Sequence, residues 1–241
     1  VIVSEKPSMG RAIAVALGIN GKGRNYIEGN GTIVTWCIGH LVEALPPDSY
    51  DPKLKAWRMD TIPFFPDRFQ YAPITNTKDQ YDAVAALLNR KDVVDVVNAT
   101  DAGREGELIF DLVYQQAGCT KPVLRFWTSS LTDDAIRDAY AKMKPASAYT
   151  GLRDAARCRQ EADWLVGLNC TRAQTLAMRQ AGGEGVYSIG RVQTPTLTIL
   201  VQREQEIVNF QPKDFWTLWG TFGAKKGEYV GKWFRKDADG K

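Results

Sequence analysis

Apolar positions along this chain follow strand-like and helix-like rhythms in alternation. Val1-Ile-Val reads as a buried-type strand, Ser4-Glu5-Lys6-Pro7-Ser8 as a turn, and Met9 to Leu17 as a helix closed by Gly18. Gly31 to Ile38 predicts a second strand, a Pro-rich connector covers about Leu45 to Phe69, and Lys78 to Asn89 has helical spacing. The β-branched run Val93 to Thr100 predicts a strand that turns into a helix from Glu107 to Gly118. Val123 to Trp127 is one more strand, and Ser129 to Thr132 caps a helix running from Asp133 to Met143. Strands alternating with helices predict an α/β domain with a mainly parallel sheet over residues 1–145.

The rhythm changes after Pro145. Ala148 to Gln180 lacks proline and has apolar residues at 3.6 spacing, which predicts one or two long helices in a mainly helical domain over 146–212. Phe215 to Phe222 and Glu228 to Phe234 alternate like strands of a hairpin or meander, so 213–241 reads as the start of a β-rich domain. Two strands alone are marginally stable, and that element is expected to be truncated.

Candidate chemistry concentrates in the turn Thr100-Asp-Ala-Gly-Arg-Glu-Gly-Glu107. Asp101, Glu105 and Glu107 repel one another unless a cation sits among them, which points to a divalent-metal site handling phosphate, with Arg104 placed to meet a phosphate oxygen. The plainer reading is a solvated loop whose acids favour a helix N-terminus. Glu5 also sits at the carboxyl end of a strand, where ligands bind in open parallel sheets; if the two strands are neighbours, Glu5, Asp101 and Glu105 converge on one ion. Magnesium suits such a cluster because it takes few carboxylates and keeps positions for phosphate oxygens. Gly-x-x-x-x-Gly-Lys-Ser/Thr is absent from the opening turn, so ATP is not implied.

Composition narrows the setting. With 241 residues, 44% hydrophobic and 24% charged, the chain is expected to fold as a soluble protein. A net charge of +3 is too small to argue nucleic acid, so any basic footprint is local, as in Lys6, Arg11, Lys22 and Arg24. No apolar run approaches the roughly 20 residues that span a bilayer, and no signal peptide is visible in a chain that begins at Val; the cytoplasm is the expected compartment, with no membrane partner. Cys37, Cys119, Cys158 and Cys170 lack Cys-x-x-Cys spacing, which argues against zinc and disulfides and for reduced core residues. His40, the sole histidine, follows a strand, where a hydrogen-bonded structural role is the commoner one.

On the long helical segment, Arg153, Arg157, Trp164, Arg172 and Arg179 keep roughly to one face. Arginines around an indole suit single-stranded nucleic acid, with phosphates on the guanidiniums and a base on the ring; the plainer reading is a core tryptophan with a solvated basic rim. Tyr187-Ser-Ile-Gly-Arg-Val-Gln-Thr-Pro195 adds a second string: Gly190 allows close backbone approach, and Ser188, Arg191, Gln193 and Thr194 offer donors before a helix running to Glu206.

Three separated strings, Ser4-Glu-Lys-Pro-Ser8, Asp101-Ala-Gly-Arg-Glu-Gly-Glu107 and Ser188-Ile-Gly-Arg-Val-Gln-Thr-Pro195, with Asp163 to Arg172 between the last two, resemble the type IA DNA topoisomerases, of the bacterial topoisomerase III kind. The acidic turn alone resembles the wider Toprim group, which includes primases and nucleases. The resemblance implies a Rossmann-like Toprim domain over 1–145, a helical domain guiding single-stranded DNA, and the start of a β-rich arch. It further implies that Glu5, Asp101 and Glu105 hold Mg²⁺ and that Lys6 neutralises the scissile phosphate. Trp57, Trp164, Arg172, Arg179, Ser188, Ile189, Gly190, Arg191, Val192 and Gln193 are implied to contact DNA, with Arg58 beside Trp57 as a weaker candidate, and a helicase is a possible partner near the nucleoid.

Two departures stand out. The family has Asp-x-Asp in the acidic turn, whereas this chain has Gly103 at the second position, which favours one ion over two. No Tyr-Pro-Arg-Ser-Asp-like string is present, and Tyr187 lacks that context and reads as structural. The implied chemistry is cleavage, passage and religation of single-stranded DNA without ATP, using a tyrosine outside these residues; the chain alone is expected to bind and not cut. The alternatives are a Toprim-type metal nuclease or primase-like enzyme, and a non-catalytic DNA-binding module.

Overall fold

In the computed structural model, which describes residues 1–21 and 23–233, strand β1 (Ile2–Ser4) lies inside a six-stranded sheet. Its parallel neighbours are β3 (Thr32–Trp36) and β6 (Val96–Ala99), with Ser4 opposite both Trp36 and Ala99. β7 (Val123–Arg125) extends the parallel set beside β6. Two antiparallel strands, β2 (Tyr26–Gly29) and β8 (Lys144–Pro145), close the edges in the order β2-β3-β1-β6-β7-β8. Every residue of β1 and β6 is buried, as parallel strands covered on both faces must be.

The covering helices follow from side-chain alternation along these strands. Ile2 and Val97 face one side, where α1 (Pro7–Ala16) and α4 (Asp133–Ala141) bury Met9, Ile13 and Ile136. Val3 and Val96 face the other, against Val84 and Leu88 of α2 (Lys78–Leu88) and Leu108 and Leu112 of α3 (Arg104–Gln116). Pro7 opens α1, where its missing N–H costs nothing. The second helix of the acidic motif begins three residues earlier than its apolar spacing predicts, because the extended backbone at Gly103 serves as N-cap and draws Arg104 and Glu105 into the first turn.

Strand β2 escaped the sequence reading. It forms a hairpin with β3 through Asn30 and Gly31, both at positive φ (53° and 70°), and the Asn-Gly pair is the signal for such a turn. A short antiparallel ribbon, β4 (Val42–Ala44) with β5 (Tyr71–Pro73), closes the two ends of the connector.

Ala148 to Gln180 resolves as one helix of 31 residues, α5 (Thr150–Gln180). It packs on α3 through Asp111, which is buried, accepts from Arg157, and lies 3.9 Å from Arg153. Farther along, the Asn169 side chain pairs with both backbone groups of Phe64, at 2.7 and 3.0 Å.

Two compact units result, Val1–Arg191 and Val192–Lys241. The second contains α6 (Gln193–Val208) and an antiparallel hairpin of β9 (Trp219–Ala224) and β10 (Gly227–Lys232). Phe234, the predicted end of the last strand, lies outside the described residues, as does Lys22 of the basic footprint. Among the described residues, no helix is long and apolar enough to cross a membrane. All four cysteines are free; Cys37 and Cys119 are buried, and burial pushes the Cys37 thiol up to about 12. Cys158 is exposed, which corrects the expectation that all four are core residues: its position on α5 faces away from α3.

Candidate metal and phosphate site

Because β1 and β6 pair in parallel, the turns that follow them lie side by side. The Asp101 backbone N–H donates to Glu5 Oε2 at 3.1 Å, and Lys6 Nζ lies 3.3 Å from Asp101 Oδ2. The chain after β3 continues the ladder: Cys37 N–H donates to the Ser4 carbonyl at 2.8 Å and Gly39 N–H to the Glu5 carbonyl at 3.3 Å. That extension delivers His40, whose Nε2 is 2.5 Å from Glu105 Oε1. Three strand ends thus supply Glu5, Lys6, His40, Asp101 and Glu105 to one rim of the sheet.

Electrostatics mark the rim as short of positive charge. Burial raises the Glu5 pKa above the ordinary glutamate value; the Asp101 N–H opposes the rise, the Asp101 charge adds to it, Lys6 opposes and Glu105 adds. Carboxylate oxygens are the donors a hard divalent cation takes, so the chemistry of Glu5, Asp101 and Glu105 fits one. Their side chains are not gathered around one point: among the described residues no three His, Cys, Asp or Glu side chains form an ion-sized cluster, and Glu105 is paired with His40.

Glu107 does not belong to the exposed acidic group expected from the sequence. It turns inward and pairs with Arg125, the two side chains being 6% and 0% exposed. A carboxylate at this depth needs its own partner, and a guanidinium supplies it. Asn98 adds a hydrogen bond to Glu107 Oε2 at 3.4 Å. The turn is also packed tightly. A Cβ on Gly106 would sit 2.2 Å from the Asp101 carbonyl oxygen, so only glycine lets α3 approach the turn this closely. Thr100 Oγ1 donates to the Gly106 carbonyl at 2.8 Å and locks that approach.

Beside Glu105 lies a cavity of about 180 Å³ between the first turn of α3 and the middle of α5, lined by His40, Arg104, Glu105, Arg159, Gln160 and Asp163 among others. Asp163 accepts from Arg191 at 2.8 Å, which ties the Ser188–Arg191 string to this wall, and Arg159 lies 3.8 Å from its other oxygen. Arg159 and Asp163 were not singled out for this role by the sequence, their i, i+4 spacing on one helix being the available signal, whereas the resemblance places the His40 string near the site without giving it a role.

Trp57, Trp164, Arg172, Arg179 and Ile189 have protein partners. Trp164 packs edge-on against Tyr50, Phe64 and Phe69, with ring centroids 6.4, 6.2 and 5.3 Å away. Arg172 is buried, which lowers its pKa; it donates to the Leu54 carbonyl at 2.8 Å and lies 5.5 Å from the Trp57 ring. Arg179 lies 6.0 Å from the same ring and donates to the Gly185 carbonyl. Arg153 and Arg157 serve Asp111. Thr171 Oγ1 bonds both backbone groups of Ile189, at 2.9 and 3.2 Å, which fixes the string carrying Ser188 and Gly190 to α5. Val192 and Gln193 stand at the start of α6 in the second unit. Tyr187 donates its N–H to Thr175 Oγ1.

A mainly parallel sheet whose strand ends carry Glu-Lys and Asp-x-x-x-Glu on one rim defines a Toprim-type domain. The Toprim domain family matches residues 1–131, more than half of the chain, so the chain belongs to it, and the DNA topoisomerase family matches residues 147–240. Relatives are DNA topoisomerase 3 of Shouchella clausii, 46% identical over 217 residues, and DNA topoisomerase 3 of Staphylococcus epidermidis, 43% identical over 218. Each match covers 90% of this chain and 29% or 30% of the relative, so the chain spans just under a third of their length. Full-length topoisomerase I from Thermotoga maritima shares the fold, with a TM-score of 0.56 and 23% identity, over 88% of this chain and 31% of that one. Toprim domains generally bind divalent metal.

Proposed function

We propose that this chain supplies the metal, lysine and strand-guiding part of a topoisomerase III-like enzyme that cleaves, passes and religates single-stranded DNA without ATP. The observation that carries the reading is the parallel pairing of β1 with β6, which sets Glu5 and Lys6 against Asp101. In the reaction a tyrosine oxygen, outside these residues, forms an ester with a backbone phosphorus while the sugar oxygen leaves and takes a proton; the reverse attack reseals the strand. Glu5, Asp101 and Glu105 would hold a single Mg²⁺, which supplies positive charge to the phosphate. Lys6 leaves Asp101 to neutralise a phosphate oxygen in the transition state. His40 holds Glu105 until the ion arrives.

The strand runs along the cavity wall formed by Arg159 and Asp163 and past the Ser188–Arg191 string that Arg191 ties to Asp163, with Arg179 beyond it; Val192 and Gln193 are proposed as DNA contacts of the second unit. Trp57, Trp164 and Arg172 form the packed backing of that path. A DNA substrate places the protein with the nucleoid, and a helicase is the partner suited to deliver single strands. In a longer parent protein, Glu5→Gln, Asp101→Asn and Lys6→Ala should each abolish or cut plasmid relaxation, and a covalent protein–DNA adduct should form in the unmutated protein. The 241-residue chain should bind a single-stranded oligonucleotide and leave supercoiled plasmid unchanged. Mg²⁺-dependent scission with free ends and no adduct would mark a nuclease instead.

A further inference from the structure

Arg125 is the largest fully buried side chain among the described residues and has no place in the chemistry above. Its donors converge on the turn that carries Asp101. Nη1 donates to the carbonyls of Asn98, Thr100 and Phe126 at 3.1, 2.8 and 2.7 Å, Nη2 donates to the Asp101 carbonyl at 2.7 Å, and Nε pairs with Glu107. The Thr100–Asp101 peptide is therefore held from both sides, its carbonyl by Arg125 and its N–H by Glu5 Oε2. The next peptide is held through the Asp101 carbonyl. With both flanking peptide planes held, Arg125 and Glu5 together fix the direction of the Asp101 Cα–Cβ bond, from which its carboxylate is presented.

The guanidinium is itself backed by aromatic rings. It lies 4.9 Å from the Trp127 ring centroid, and Trp127 stacks on Tyr149 at 5.1 Å with planes 17° apart. Tyr149 immediately precedes α5, the helix that forms the far wall of the cavity. We propose that Arg125, backed by the Trp127–Tyr149 stack, is a positioning residue that aims Asp101 at its cation and ties that aim to the root of α5. This rests on the metal reading of the Asp101 turn. A residue needed only for burial would not require its donors on Thr100, Asp101 and Glu107 of the one acidic turn.

The test uses the whole 241-residue chain with Mn²⁺ as probe, titrated by electron paramagnetic resonance, together with thermal melting and hydrogen exchange at the Asp101 amide. Arg125→Lys, which keeps the charge but not the fork, should weaken Mn²⁺ binding on the order of 10-fold, as loss of a group orienting a metal ligand does. Tyr149→Ala should weaken it about threefold while the protein still melts cooperatively, and Tyr149→Phe, which keeps the stack, should restore wild-type binding. Faster exchange at Asp101 should accompany each loss. If Arg125→Lys fails to fold, the Tyr149 pair decides. Wild-type affinity in folded Arg125→Lys or in Tyr149→Ala would overturn the proposal while leaving the metal reading intact. Absence of Mn²⁺ binding by the wild-type chain would overturn both.

Discussion

Trp164→Ala separates the two uses a tryptophan can have on a helix next to the proposed nucleic-acid path. The side chain is partly buried and meets Tyr50, Phe64 and Phe69 edge-on. Truncating a fully buried tryptophan costs about 3–5 kcal/mol, and partial exposure lowers the figure here to about 2–4 kcal/mol. For a unit of this size each kcal/mol moves Tm by about 2–4 °C, so the loss should be roughly 5–15 °C. Binding of a fluorescent single-stranded oligonucleotide, titrated well below the new Tm, should change less than about twofold if the ring serves packing alone. Stacking on a base is worth about 1–3 kcal/mol, a loss of at least about fivefold. An unchanged Tm with binding down by that factor would refute the packing role given to Trp164.

Three further outcomes are expected. Glu5 binds a proton more tightly in the folded chain than in the unfolded one, so stability without metal should fall as pH rises from the ordinary value of 4.5 through the raised one. Glu5→Gln should flatten that fall and Mg²⁺ should reverse it in the wild type; melting curves from pH 4 to 8 that run parallel for the two proteins would contradict this. Glu107→Ala strands a buried guanidinium and should cost about 3–5 kcal/mol by urea denaturation. Gly106→Ala forces a Cβ onto the Asp101 carbonyl and should cost about 1–3 kcal/mol, with a matching loss of Mn²⁺ affinity.

The convergence of Glu5 with Asp101 was legible because two strand–turn–helix units have the same local pattern, and neighbouring parallel strands present their turns to one rim. Glu107 was not, since its partner lies on β7 and nothing within the acidic turn shows which of three carboxylates points inward. Helical periodicity put five residues of α5 on one face correctly, but it carries no information about what covers that face. Asp111, Leu54 and the rings of the connector decide it, and each lies far away in sequence. Asn30-Gly31 was readable as a hairpin turn, yet the four residues before it are too short and too weakly alternating to announce a strand.

The pairing of β1 with β6 also governs when the site can exist. Glu5 and Asp101 are 96 positions apart, so during synthesis the first strand must wait, unpaired on that side, until the chain through Ala99 has emerged. Contacts of such long loop closure form slowly. A cation that needs both carboxylates has no binding site in the unfolded or half-made chain. Such a cation would therefore act as a ligand of the finished fold alone, shifting the folding equilibrium toward completion by mass action.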